Sequence, residues 1–154
     1  MPNDSYDRRD FIKAAGATAL VGAAGVPAAA GTADELCFSS AVELARLLQT
    51  RQVSAREVMA AYLARIERFN PRLNAIVAKL PDDECLALAE AADRRAASGE
   101  RLPPLHGLPT AFKDLQAAVG FPYTRGSPIY KDAKPTEDSM FVERLRRADR
   151  KLAA

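Results

Sequence analysis

From residue 39 to residue 97 apolar positions recur at a helical period, and the caps such helices need stand beside them. Ser39 or Ser40 can cap a helix over 41–49 with Leu44, Leu47 and Leu48 on one side. Ser54-Ala55-Arg56-Glu57 is a capping box, in which the serine oxygen accepts an orphan backbone N–H and the glutamate reaches back to the cap. Val58, Met59, Tyr62, Leu63 and Ile66 then follow at helical spacing, until Asn70-Pro71 stops the helix because proline restricts the residue before it. Pro81-Asp82-Asp83-Glu84 opens a third helix to about residue 97, its acids at the favourable end of the helix dipole and Ser98-Gly99 closing it. Cys85, Leu88, Ala89 and Ala92 form its small-residue face, with Arg94 and Arg95 in solvent. A last helix is predicted over 137–148, with Thr136 as cap, Phe141, Leu145 and Ala148 in one row, and Arg144, Arg146 and Arg147 in the last turn. These rows read as core-facing surfaces.

Two stretches have strand character. Residues 75–80 are short and apolar, with Ile76 and Val77. In the second half of 108–115 the alternation places Phe112 and Lys113 on opposite faces. The pattern therefore predicts an α/β unit, mostly helical with two short strands.

Composition narrows the functional classes. The chain has 154 residues, 48% hydrophobic and 27% charged, which excludes wholesale disorder and suits one domain. Its 22 basic against 20 acidic residues leave a net charge of +2, too small and too interspersed to read as a nucleic-acid footprint. No segment repeats at the period of a solenoid. Cys37 and Cys85 lie far apart, without metal-ligand spacing. They could pair in an oxidising compartment or serve as small buried hydrophobes.

Residues 1–30 read as an address rather than as part of the fold. Arg8 and Arg9, the apolar pair Phe11-Ile12 and Lys13 precede a weakly apolar run over 14–30 that contains Gly16, Gly22, Gly25 and Pro27. This resembles a twin-arginine export signal, with Ala28-Ala29-Ala30 as the cleavage site. An alanine-rich helix or a short anchor is the alternative, but a spanning helix wants about 20 strongly apolar residues. The resemblance implies recognition by the export machinery through Arg8 and Arg9, and a periplasmic or secreted bacterial product. Asp4, Asp7 and Asp10 balance Arg8, Arg9 and Lys13, so removal of the segment leaves the net charge unchanged.

The segment that carries chemistry is Pro104-Leu105-His106-Gly107-Leu108-Pro109-Thr110-Ala111-Phe112-Lys113-Asp114, followed by Gly120-Phe121-Pro122-Tyr123-Thr124-Arg125-Gly126-Ser127. It closely resembles the first block of the amidase signature family. Ser40-Ala41-Val42-Glu43-Leu44, the Ser54-capped helix with Asn70-Pro71-Arg72-Leu73-Asn74-Ala75, and residues 138–148 appear in the order expected of that family. The resemblance covers residues 38–148 and implies the N-terminal fragment of a mixed-sheet fold over 31–154. It also implies amide hydrolysis by a serine nucleophile assisted by a second serine in a cis peptide and by a lysine, without cofactor or metal. Lys113 occupies the lysine position. A lysine amine is protonated in water near neutral pH, and burial favours the neutral form that can accept a proton. Thr124, Gly126 and Ser127 match the loop that lies near the active site in relatives and take a substrate-binding or supporting role. His106, the sole histidine, reads as a turn-packing residue.

The resemblance places both serines well downstream, the nucleophile in a Gly/Ser-rich stretch, and this sequence has no such stretch. Its serines are Ser5, Ser39, Ser40, Ser54, Ser98, Ser127 and Ser139. Residues 149–154, Asp149-Arg150-Lys151-Leu152-Ala153-Ala154, depart from the glycine and apolar strand that continue relatives. Two expectations follow. One is a truncated, exported amidase-type hydrolase, only marginally folded and inactive alone, whose full-length relatives act on small-molecule amides. The other is a small periplasmic helical binding module completed by a second chain.

Overall fold

The computed structural model describes residues 32–150. The export signal expected over 1–30 and residues 151–154 therefore lie outside the described residues. Among the described residues the regular structure is five α-helices and one 3₁₀ turn: α1 (Ala33–Phe38), α2 (Ala41–Gln49), α3 (Ala55–Leu73), α4 (Asp82–Ala97), the turn Pro128–Tyr130 and α5 (Met140–Arg150).

Local chemistry explains most helix starts. Ser40 accepts the Glu43 N–H at the head of α2 at 3.1 Å. In the capping box of α3, Glu57 N–H donates to Ser54 Oγ at 3.1 Å, while Ser54 N–H donates to the Glu57 carboxylate at 2.8 Å. That Ser54 N–H, and then the Ser54 hydroxyl, which donates to the same carboxylate at 2.7 Å, hold the Glu57 carboxyl below its usual range. A second capping box, Thr32 with Glu35, opens α1, a helix the periodicity reading passed over.

Helix α3 packs against α1 and α4. Leu36, Leu44, Leu48, Val53, Ala55, Val58, Ala61 and Ala89 form one buried cluster, with Val58 fully inaccessible. Asp93 of α4 adds a long-range cap, accepting the Ala55 N–H at 2.7 Å and the Arg56 N–H at 3.1 Å. The two helices are thereby joined by apolar contact and by orphan donors satisfied across the interface. Cys37 and Cys85 are free thiols; burial pushes the Cys37 thiol up from its ordinary value.

Several expectations need correction. Pro71 does not stop α3, because a proline in the last turn removes only one ladder bond. The helix runs to Leu73 and ends at Asn74, whose left-handed backbone (φ 48°) closes it. Asn70 instead clamps the chain beyond, its side chain donating to Ile76 O and accepting from Ile76 N, both at 2.9 Å. Leu88 is exposed on α4 while Cys85 and Ala89 are buried. Arg95 is three-quarters covered and pairs with Glu100 at 3.3 Å.

The last helix begins at Met140, not 137, because Asp138 and Ser139 are engaged elsewhere: Asp138 accepts the Val119 N–H at 2.8 Å, and Ser139 N–H donates to Ala117 O at 2.8 Å. Its buried residue is Val142, while Phe141 is half exposed. Neither predicted strand forms, and no β-strand occurs among the described residues. A strand exists only through ladder bonds to a neighbour. Here the backbone N–H and C=O of Ile76 pair with the Asn70 side chain instead, and Val77 has about two-thirds of its surface open.

Candidate functional site

The segment around Lys113 is held from two sides. On one side stands α5. Phe112 meets Phe141 edge to face, with ring centroids 6.5 Å apart and planes at 88°. Ser139 Oγ donates to Gln116 Oε1 at 3.0 Å. Arg146 donates to Val119 O at 2.9 Å and pairs with Asp138 at 3.0 Å. On the other side stands the loop 123–133, and the link is Asp114. Its carboxylate accepts the Thr124 N–H at 2.9 Å, the Thr124 hydroxyl at 2.5 Å and the Gly126 N–H at 3.3 Å.

The structure therefore brings Thr124 and Gly126 to the residue next to Lys113. Asp114 belongs to the motif but had no role assigned from sequence. No local signal marked it, since the donors it accepts lie ten and twelve positions downstream. The Thr124 hydroxyl, then the backbone donors of the same loop, hold the Asp114 carboxyl below the ordinary aspartate range.

Residues 124–127 close a tight turn, Ser127 N–H donating to Thr124 O at 2.9 Å. Both central residues have positive φ, Arg125 at 54° and Gly126 at 69°, as in a type I′ turn. Gly126 suits that backbone. Arg125 adopts it at a cost of roughly 1–2 kcal/mol, offset in part by its guanidinium lying over the Tyr123 and Tyr130 rings. Ser127 caps the 3₁₀ turn, its Oγ accepting the Ile129 N–H at 3.4 Å.

Lys113 itself is exposed, and its carbonyl accepts the Gln116 N–H at 2.8 Å. The burial that would favour a neutral amine is not supplied by the described residues. His106 is buried, at 4% exposure, with Nε2 3.0 Å from Ala92 O. A carbonyl only accepts, so Nε2 carries the proton in that bond, and the histidine serves the turn as expected.

Every serine among the described residues works at a helix end. Ser40 and Ser54 cap α2 and α3, Ser39 and Ser98 donate to Glu35 O and Arg95 O at the ends of α1 and α4, Ser127 caps the 3₁₀ turn, and Ser139 opens α5. No group of three or more potential metal ligands occurs among the described residues.

An expected outcome follows for pH. Asp114 has a folded-state pKa below its unfolded one, so its contribution is present above the ordinary aspartate value of about 3.9 and is lost as pH falls through the depressed value. Amide signals of Thr124 and Gly126, followed by NMR, should titrate with one midpoint below that ordinary value. Asp114→Asn should abolish the midpoint. A midpoint at or above the ordinary value contradicts the assignment.

Comparison with known proteins gives a consistent picture. The Amidase family profile matches residues 57–152. A glutamyl-tRNA(Gln) amidotransferase subunit from Acidothermus cellulolyticus is 41% identical over 114 residues, covering 74% of this chain and 22% of the relative. Its counterpart from Geobacter sulfurreducens is 46% identical over 106 residues, covering 69% and 21%. Among solved structures, a bacterial aryl acylamidase of the amidase signature enzymes superposes with a TM-score of 0.66 at 35% identity, covering 73% of this chain and 24% of that one. A chain from a vestigial protein complex, tied to the evolutionary origins of an s-triazine catabolic enzyme, gives 0.65 at 35% identity, covering 71% and 24%. The chain thus spans between a fifth and a quarter of the length of the relatives it matches.

Proposed function

The chain belongs to the amidase family, and from that premise we propose that it supplies the lysine of a serine, cis-serine, lysine relay that hydrolyses amide C–N bonds. A serine hydroxyl attacks the amide carbonyl while its proton passes through the second serine to the Lys113 amine. That proton then goes to the departing nitrogen, and water releases the acyl group from the first serine. The observation that carries this reading is the tie between Asp114, beside Lys113, and the Thr124–Gly126 turn. Thr124, Gly126 and Ser127 then form the rim against which substrate is seated.

None of the seven serines of the sequence lies in a Gly/Ser-rich run and the six described ones work at helix ends, so in this reading both relay serines come from further polypeptide, on the same or a second chain. Residues 75–80 and the second half of 108–115 pair with strands of that remainder, completing the mixed sheet. The exposed apolar side chains Leu115, Val119, Met140 and Phe141 give it a surface to cover. Residues 1–30 direct export through Arg8 and Arg9, an assignment checked by finding the product in the periplasmic fraction of expressing cells.

The decisive assay uses an anilide whose cleavage releases a coloured amine. The 154-residue chain alone should give no hydrolysis above background. Fused after residue 148 to the remaining portion of the aryl acylamidase it resembles, it should turn over. Hydrolysis by the chain alone overturns the division of the relay, and an inert but folded fusion overturns the amidase reading.

A further inference from the structure

Neither the helix packing nor the proposed relay uses Arg125, an exposed residue whose guanidinium stacks on two rings of its own loop. Its guanidinium carbon lies 4.5 Å from the Tyr123 ring centroid and 5.0 Å from that of Tyr130. Stacking of this kind covers the faces of a guanidinium and leaves its edge of N–H donors open. Among the described residues Arg125 forms no ion pair. The acid that holds this loop, Asp114, is committed to Thr124 and Gly126. The backbone of Arg125 is left-handed at φ 54°, where glycine or asparagine is the unstrained choice. A strained position that keeps a large cationic side chain, aimed by two rings beside the proposed active-site rim, points to use of that charge.

We propose that Arg125 recognises the carboxylate of an acidic amide substrate, its N–H fork receiving the two oxygens and turning the amide toward Lys113. A planar two-oxygen acid matches the fork geometry, which a lysine cannot reproduce. This inference rests on the amidase reading and adds a substrate class to it: amides that carry a second, ionised carboxyl group.

The test is an NMR titration of the full chain with succinamate and with its neutral isostere, succinamide. Succinamate should shift the Arg125 Nε–H and Gly126 amide signals saturably, with an affinity about tenfold or more above that of succinamide. Arg125→Gly suits the turn backbone, so its unfolding midpoint should equal or exceed that of the parent while the preference disappears. Arg125→Lys should keep only a minor part of it. Equal binding of the two compounds overturns the proposal, as does a preference that survives Arg125→Gly. A lowered midpoint in Arg125→Gly, with no preference in the parent, assigns the residue to the turn alone and also overturns it. The amidase reading fails by a different result, absence of hydrolysis by the folded fusion, so the two failures are distinguishable.

Discussion

Replacing Lys113 by alanine in the fused enzyme is expected to lower kcat/KM by about 10²- to 10⁴-fold, the range typical of a lost general base. Folding should be unaffected, because Lys113 is exposed and no packing depends on its side chain. Lys113→Arg should fare no better, since a guanidinium stays protonated throughout the working range. In the chain without the remainder the same substitution should change nothing, as a base with no nucleophile to activate accelerates little. The comparison therefore has two arms, loss in the fusion and silence in the fragment. A fusion that retains its rate without Lys113 would remove the lysine from the relay and leave only the family fold.

The largest effect on stability is expected from Gly107→Ala. Gly107 has φ +72°, and a Cβ there would lie 2.9 Å from Ala55 Cβ and 3.6 Å from Leu48 Cδ2. Both neighbours belong to the buried cluster, so neither can yield as a flexible side chain would. The left-handed backbone costs a non-glycine residue roughly 1–2 kcal/mol, and overpacking adds about 1–3 kcal/mol. The sum is a large fraction of a small domain's stability. The turn also seats His106 against Ala92 O and draws its N–H donors to Pro103 O and Asp149, so its displacement loosens the junction of α3, α4 and α5. Urea unfolding followed by circular dichroism should show a midpoint well below that of the parent at unchanged slope. Gly99→Ala is the control: its φ is also positive, at +84°, but a Cβ meets nothing within 4 Å, so only the backbone penalty should register. Equal losses at both glycines would mean that contact with Ala55 plays no part.

Much of the helical scaffold was legible before any coordinates. Ser40, Ser54 and Ser98-Gly99 marked helix ends because a cap acts on donors or acceptors within one turn of itself. The same logic would have found α1 in Thr32-Ala33-Asp34-Glu35, where a capping box precedes too short an apolar row to register as periodic. The row through Val58 and Leu63 faced the core as expected. Where sequence reading went astray, distant partners had intervened. Phe141, Leu145 and Ala148 looked like the inner row of α5, but Asp138 and Ser139 bind backbone at 117–119, and that attachment turns Val142 inward. A short apolar run at 75–80 and alternation in the second half of 108–115 suggested two strands, yet such patterns report only a capacity to pair.

The candidate site divides in the same way. Lys113, Thr124, Gly126 and Ser127 were named from a motif, while the carboxylate that assembles the loop, Asp114, became evident only when its two oxygens were seen among Thr124 and Gly126. Sequence alone determined the starts of α2, α3 and α4, the helical character of the core and family membership, because caps, periodicity and motif order are properties of near neighbours along the chain. Tertiary structure decided which faces are buried, how α3 is capped by Asp93 and how the turn at 124–127 is tied to residue 114. Those bonds join residues ten or more positions apart, and their geometry exists only once the chain has closed the loops between them.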